Sequence, residues 1–168
     1  MNCHRGKLMK NLPRLLLYVV SSWCIAAPLV VQAETDACTL LSPAQVGAAV
    51  GGTVSAGTHV TPTFVKTCTW MPAGKSRIAS VTLNLQTAAF YDGGKQQATM
   101  AAAVGGKGNE IKAASVGDDA HYFITGDQVA LFVKKGAVSF KVAVYAKIPV
   151  NEKEAMELKL AREVVAKL

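Results

Sequence analysis

The segment Gly117-Asp118-Asp119-Ala120-His121 gathers two carboxylates and an imidazole. Such groups could exchange protons with a substrate or hold a cation. Residues two apart on a strand share a face, so Asp119 and His121 would project together. Two side chains are fewer than the three or four protein ligands of a typical zinc centre, and no second cluster supplies the rest by spacing. Gly-Asp-Asp also reads as a turn, with His121 opening a strand. A hydrolytic or metal-dependent enzyme built on Asp118, Asp119 and His121 is therefore the second reading. The first is a binding or interaction domain with no catalytic residue and no cofactor.

Other reactive residues are scattered. His59 has no acid near it in the sequence. No serine lies in a Gly-x-Ser-x-Gly or Ser-x-x-Lys pattern. Gly93-Gly94-Lys95 and Gly105-Gly106-Lys107-Gly108 lack the Walker spacing and read as loops. Asp92, Glu110 and Asp127 fall in expected turns and form no pair. Lys134, Lys135, Lys141 and Lys147 make the last hairpin basic, as expected of solvated strand positions that guard a sheet edge.

The chain has 168 residues and a formal net charge of +7, with 51% hydrophobic residues. Much of that charge lies in a leader. Arg5, Lys7, Lys10 and Arg14 precede the apolar run LLLYVVSSWCIAAPLVV at 15–31. Val31-Gln32-Ala33 then presents small residues where a signal peptidase cuts, with Glu34 as the first mature residue. Residues 1–33 are thus expected to be a cleaved signal peptide, and 34–168 one exported domain in the periplasm or outside the cell. An uncleaved anchor is the alternative, but the run is short for a span and holds Pro28 and two serines. Trp23 before Cys24 spoils a lipobox, so no lipid anchor is expected.

Without the leader, 14 basic and 11 acidic residues remain, a net of +3. That balance is too mild for a dedicated nucleic-acid binder. The hydrophobic content excludes disorder, and 135 residues suffice for a core. No integral membrane segment is expected after the leader. Cys3 and Cys24 leave with it, while Cys38 and Cys68 remain. An exported chain with two cysteines most simply joins them in a disulfide.

The elements follow from pattern. Ser42-Pro43-Ala44-Gln45 is a helix start with a capping box, and Gly51-Gly52 ends that helix. Strands are expected at 53–60, 64–71 and 77–87; in the last, Ala79, Val81, Leu83 and Leu85 alternate with polar residues. A second helix is expected within 95–104, with Phe90 and Tyr91 in its lead-in and a short strand near Ile111 after it. Strands at 120–125, 129–134 and 137–145 follow, separated by Gly126-Asp127 and Lys135-Gly136. Asn151 caps a final helix whose apolar stripe is Leu158, Ala161, Val165 and Leu168, with Lys153, Lys159 and Lys167 on its surface. The fold class is α+β: an antiparallel sheet of about six strands in two three-stranded meanders, with helices packed against it. ATMAAAVGG at 98–106 resembles AQVGAAVGG at 44–52, which raises an internal duplication.

Several segments together resemble a group of bacterial exported domains and lipoproteins of unknown function with a Cys-x-Leu-Leu-Ser/Thr start. They are Cys38-Thr39-Leu40-Leu41-Ser42-Pro43-Ala44-Gln45-Val46, Cys68-Thr69-Trp70, Ser115-Val116-Gly117-Asp118-Asp119-Ala120, Leu131–Gly136, and the final Ala161–Leu168. The resemblance implies an exported α+β domain, a disulfide between Cys38 and Cys68, and no established activity. It also implies an aromatic residue at position 121, where this chain has histidine, which makes Gly-Asp-Asp architectural. Expected partners are a protein or small ligand of the cell envelope. A structural role in envelope maintenance is a third reading.

Overall fold

A computed structural model describes residues 34–104 and 109–168. The leader, the Ala33–Glu34 cleavage point on its Ala33 side, and the 105–108 loop lie outside the described residues. The chain runs α1 (Ala37–Leu40), α2 (Pro43–Val50), β1 (Thr58–His59), β2 (Thr67–Trp70), β3 (Ile78–Thr87), α3 (Ala88–Val104), β4 (Asn109–Ala113), β5 (Asp119–Thr125), β6 (Gln128–Lys135), β7 (Val138–Ala146) and α4 (Val150–Val165). The class is α+β with one antiparallel sheet, ordered β1-β2-β3-β7-β6-β5-β4.

Among the described residues there are seven strands, not six. The first meander has three (β1 to β3) and the second has four, because the segment around Ile111 pairs with β5 as β4. The long β3–β7 ladder joins the two meanders. The first expected strand, 53–60, shrinks to Thr58–His59 plus a single bridge from Val54 to Pro72. Ala79 is exposed rather than core, because the register slips between Ile78 and Ser80 and Ile78 takes the inward place. A bulge of one residue reverses the facing of what precedes it.

Strand alternation divides the sheet's two faces. Val81, Leu83, Leu131, Val133, Phe140 and Val142 are fully buried on one face. Leu40, Leu41, Val46, Val50, Leu160 and Val164 from α1, α2 and α4 join the same core. α2 has the expected Ser42–Gln45 capping box, and Gly51 closes it in the left-handed conformation at φ 72°. The disulfide ties Cys38 of α1 to Cys68 of β2, with the two Cα atoms 5.0 Å apart. Among the described residues, no helix is long and apolar enough to cross a membrane.

α4 departs from expectation in its facing. It starts at Val150, with Pro149 rather than Asn151 at the cap position and no side-chain cap. The buried face is Lys153, Glu157, Leu160, Ala161 and Val164, a regular helical stripe whose first half is charged. Lys153 is therefore not on the surface, and Leu158 and Val165 only flank the core. The β6–β7 pairing ends at Leu131–Val142. Just past that point the Val144 N–H donates to Glu157 Oε1 at 2.9 Å, and Lys153 Nζ donates to the Asp127 carbonyl. Both ionisable side chains thus satisfy backbone groups where the sheet pairing opens.

Among the described residues, the opposite face carries α3 alone. This helix begins directly at the end of β3, seven residues before the expected start, with Thr87 Oγ1 accepting from the Phe90 N–H at 3.2 Å. Gly93, Gly94 and Lys95 are helical rather than a loop, and Asp92 is on the helix too. α2 and α3 lie on opposite faces and have 8 and 17 residues. The similar segments at 44–52 and 98–104 therefore do not occupy equivalent places.

Candidate functional site

A cleft of about 420 Å³ separates α3 from the sheet. Its floor is a cross-strand row. His121 of β5 is in register with Phe132 of β6, Phe132 with Lys141 of β7, and Lys141 with Asn84 of β3. Phe123 and Gln86 extend the floor on the same face. The roof is the side of α3 that carries Gly94, Ala98 and Ala101. These short residues cannot fill the space above an aromatic floor, which is why the cleft stays open.

Tyr91 props up one end. It is the only buried residue of α3, and its hydroxyl lies 3.0 Å from His121 Nδ1. The His121 ring stacks on Phe132 with centroids 5.3 Å apart and planes 8° from parallel. Burial and the nearby Lys95 charge lower the His121 pKa, outweighing the pull of Asp119, which favours the neutral ring. Burial and the Asp119 and Asp92 charges push the Tyr91 phenol well up. Only Nδ1 of His121 has a hydrogen-bond partner among the described residues, and the ring lines the cleft. Nε2 remains for an occupant, as donor or acceptor according to the tautomer.

The three residues of the suspected acidic site are only partly brought together. Asp119 and His121 do share a face of β5, but Asp119 is held by Lys95 Nζ at 2.6 Å. That bond holds its carboxyl below the usual range. Asp118 turns away to the β6–β7 hairpin, where it accepts from the Gly136 N–H at 2.7 Å and Lys135 Nζ at 2.9 Å. Those two donors, the backbone one first, lower its pKa as well. Gly117 explains the glycine of the motif: its φ is +68°, and a Cβ there would lie 2.6 Å from the Lys134 carbonyl. The Gly-Asp-Asp segment is a turn latch. Among the described residues that line the cleft there is no serine, threonine, cysteine or carboxylate. The lining is largely apolar, with Gln86, Tyr91, Gln97, His121 and Lys141 as its polar groups.

Two further readings change. His59 does have an acid: its Nε2 lies 2.8 Å from Asp36 Oδ1, brought close by folding across the chain. His59 and the Cys38 N–H together hold the Asp36 carboxyl below its ordinary pKa. Asp36, Cys38 and His59 offer donor atoms within 4.8 Å of one another. The Cys38 sulfur is bonded to Cys68, which leaves two donors already bonded to each other, short of a metal site. Two of the four lysines of the basic hairpin are neutralised. Lys134 pairs with Asp92 and Lys135 with Asp118.

The cleft was missed in the sequence because its polar members come from four separate elements. The usable signal was the Gly94, Ala98, Ala101 spacing, small residues at helical intervals on a face shared with Phe90, Tyr91 and Gln97.

No protein-family model, no curated protein and no solved structure matches this chain. Function is therefore argued from the chemistry of the cleft.

Proposed function

We propose that this protein is an exported, non-enzymatic binding domain that takes a small, largely apolar ligand between α3 and the sheet. Residues 1–33 act as its cleaved signal, and the Cys38–Cys68 disulfide suits an oxidising compartment. The likeness to bacterial exported domains with a Cys-x-Leu-Leu start belongs to the same reading. The observation that carries it is the open cleft itself, within the size range of small-molecule pockets. A helix face of Gly94, Ala98 and Ala101 over Phe123 and Phe132 leaves apolar surface facing apolar surface with room between.

N-phenylnaphthylamine, an uncharged dye that brightens in apolar surroundings, tests this. The mature, oxidised protein should bind it saturably. Ala98→Trp, which places a large ring in the roof, should weaken that binding by about tenfold or more. Its circular dichroism should be unchanged, because the substituted side chain fills empty space. Equal binding by both proteins would refute the cleft as the site. Concentration-dependent dimerisation that excludes the dye would give the cleft to a second copy instead.

A further inference from the structure

Six lysine and arginine side chains in the described residues pair with carboxylates: Lys66, Arg77, Lys95, Lys112, Lys134 and Lys135. Lys153 and Lys159 donate to backbone carbonyls. Lys141 does neither, and nor do Lys75, Lys147 and Arg162, but of these four only Lys141 lines the cleft. It sits half-buried in the middle of the cleft floor, flanked in register by Phe132 on one strand and Asn84 on the other. No carboxylate among the described residues is within ion-pair distance of it. A half-buried ammonium that lines an apolar cleft and has no counter-charge is placed to pair with an anion that enters it.

The neighbouring polar groups complete the picture. Gln86 lines the same cleft, and its Nε2 donates to Asn84 Oδ1 at 2.8 Å. Asn84 in turn donates to Thr67 Oγ1 at 2.6 Å. This chain fixes the floor beside Lys141, so the ammonium projects from a rigid strand with apolar surface on its β6 side. No carboxylate lines the cleft, and two acids on its elements, Asp119 of β5 and Asp92 of α3, are held by Lys95 and Lys134. The charge of the cleft is therefore one net positive group at one place, in an otherwise apolar space.

Taking the cleft as the binding site, we propose that its ligand is an amphiphilic monocarboxylate. The acid group sits on Lys141, and the aliphatic or aromatic body lies between Phe123, Phe132 and the small residues of α3. A charge-assisted bond in a partly desolvated site is stronger than a neutral one. Lys141 is then a specificity-determining residue, and it selects acids over alcohols of the same chain length.

The test displaces N-phenylnaphthylamine from the mature, oxidised protein with decanoate and with decanol at neutral pH. Decanoate should compete about tenfold better than decanol. Lys141→Met should erase that preference by weakening decanoate alone, and Lys141→Arg should keep most of it. Equal competition by both compounds in the unaltered protein, or a preference that survives Lys141→Met, would overturn the carboxylate assignment while leaving the cleft as an apolar binding site. Failure of the dye to bind at all would remove the cleft reading and this assignment with it.

Discussion

Glu157 is fully buried against the sheet, with Oε2 unpartnered. Burial pushes its pKa from 4.5 up to about 8, against the lowering effect of the Val144 N–H and of Lys153. The sign of the consequence is fixed. Below pH 4.5 folded and unfolded chains both hold the proton. Between 4.5 and about 8 only the folded chain does, so stability falls as pH rises, and above 8 the loss is complete. Glu157→Gln keeps an oxygen for Val144 and removes the charge. Thermal melts from pH 5 to 8 should show the unaltered protein losing stability relative to the variant, by on the order of a few kcal/mol over the window. Parallel curves for the two proteins would show that Glu157 does not titrate there. Neither Glu157 nor Lys153 was legible as buried. A count of apolar residues passes over charged ones, although 153, 157, 160, 161 and 164 have the correct helical period. What buries them is the end of the β6–β7 pairing, which is a tertiary fact. His59 and Asp36 make the same point, since they are 23 residues apart in sequence.

At the scale of elements, α3 is the weakly held one. Five residues of α4 are buried, but only Tyr91 of α3. Two ion pairs, Asp92–Lys134 and Lys95–Asp119, add to that hold, and partly exposed pairs contribute about 0–1 kcal/mol each. Two glycines in its body weaken it further. Gly93 has no left-handed φ, and a Cβ there would meet nothing within 4 Å. Gly93→Ala should raise stability by about 0.5–1 kcal/mol in urea unfolding, with dye affinity unchanged. A loss of stability would mean that the glycine serves a conformation other than this helix. α3 was only half legible because Gly93-Gly94 reads as a break, and the N-terminal half lacks an apolar stripe. α2 was legible in full, because Ser42, Pro43, Gln45 and Gly51 are local signals that packing did not need to override. β3 shows the boundary between the two cases: its alternation was read correctly from Val81 onward and failed at Ala79, where a bulge intervened.

Across the whole molecule, the disulfide closes a separation of 30 residues and fastens α1 to β2, on the face of the sheet opposite the cleft. The chain-entropy account gives about 3–4 kcal/mol for such a loop. The Cys38→Ser, Cys68→Ser double variant should lose about that much in urea unfolding and, where still folded, bind the dye as before. A loss of dye binding in a folded variant would tie the disulfide to the site. The two cysteines and the α+β class could be read from the sequence, because compartment and periodicity constrain them directly. Strand order could not be read. The adjacency of β3 and β7 sets Lys141 beside Asn84, and it depends on which strand edges meet when the two meanders join. The most direct measurement is an amide chemical-shift map of the mature protein as decanoate is added. The account predicts shifts centred on Gly94, Ala98, Phe123, Phe132 and Lys141, lining both walls of one cleft. Shifts confined to the α4 face, or no saturable shifts, would contradict it.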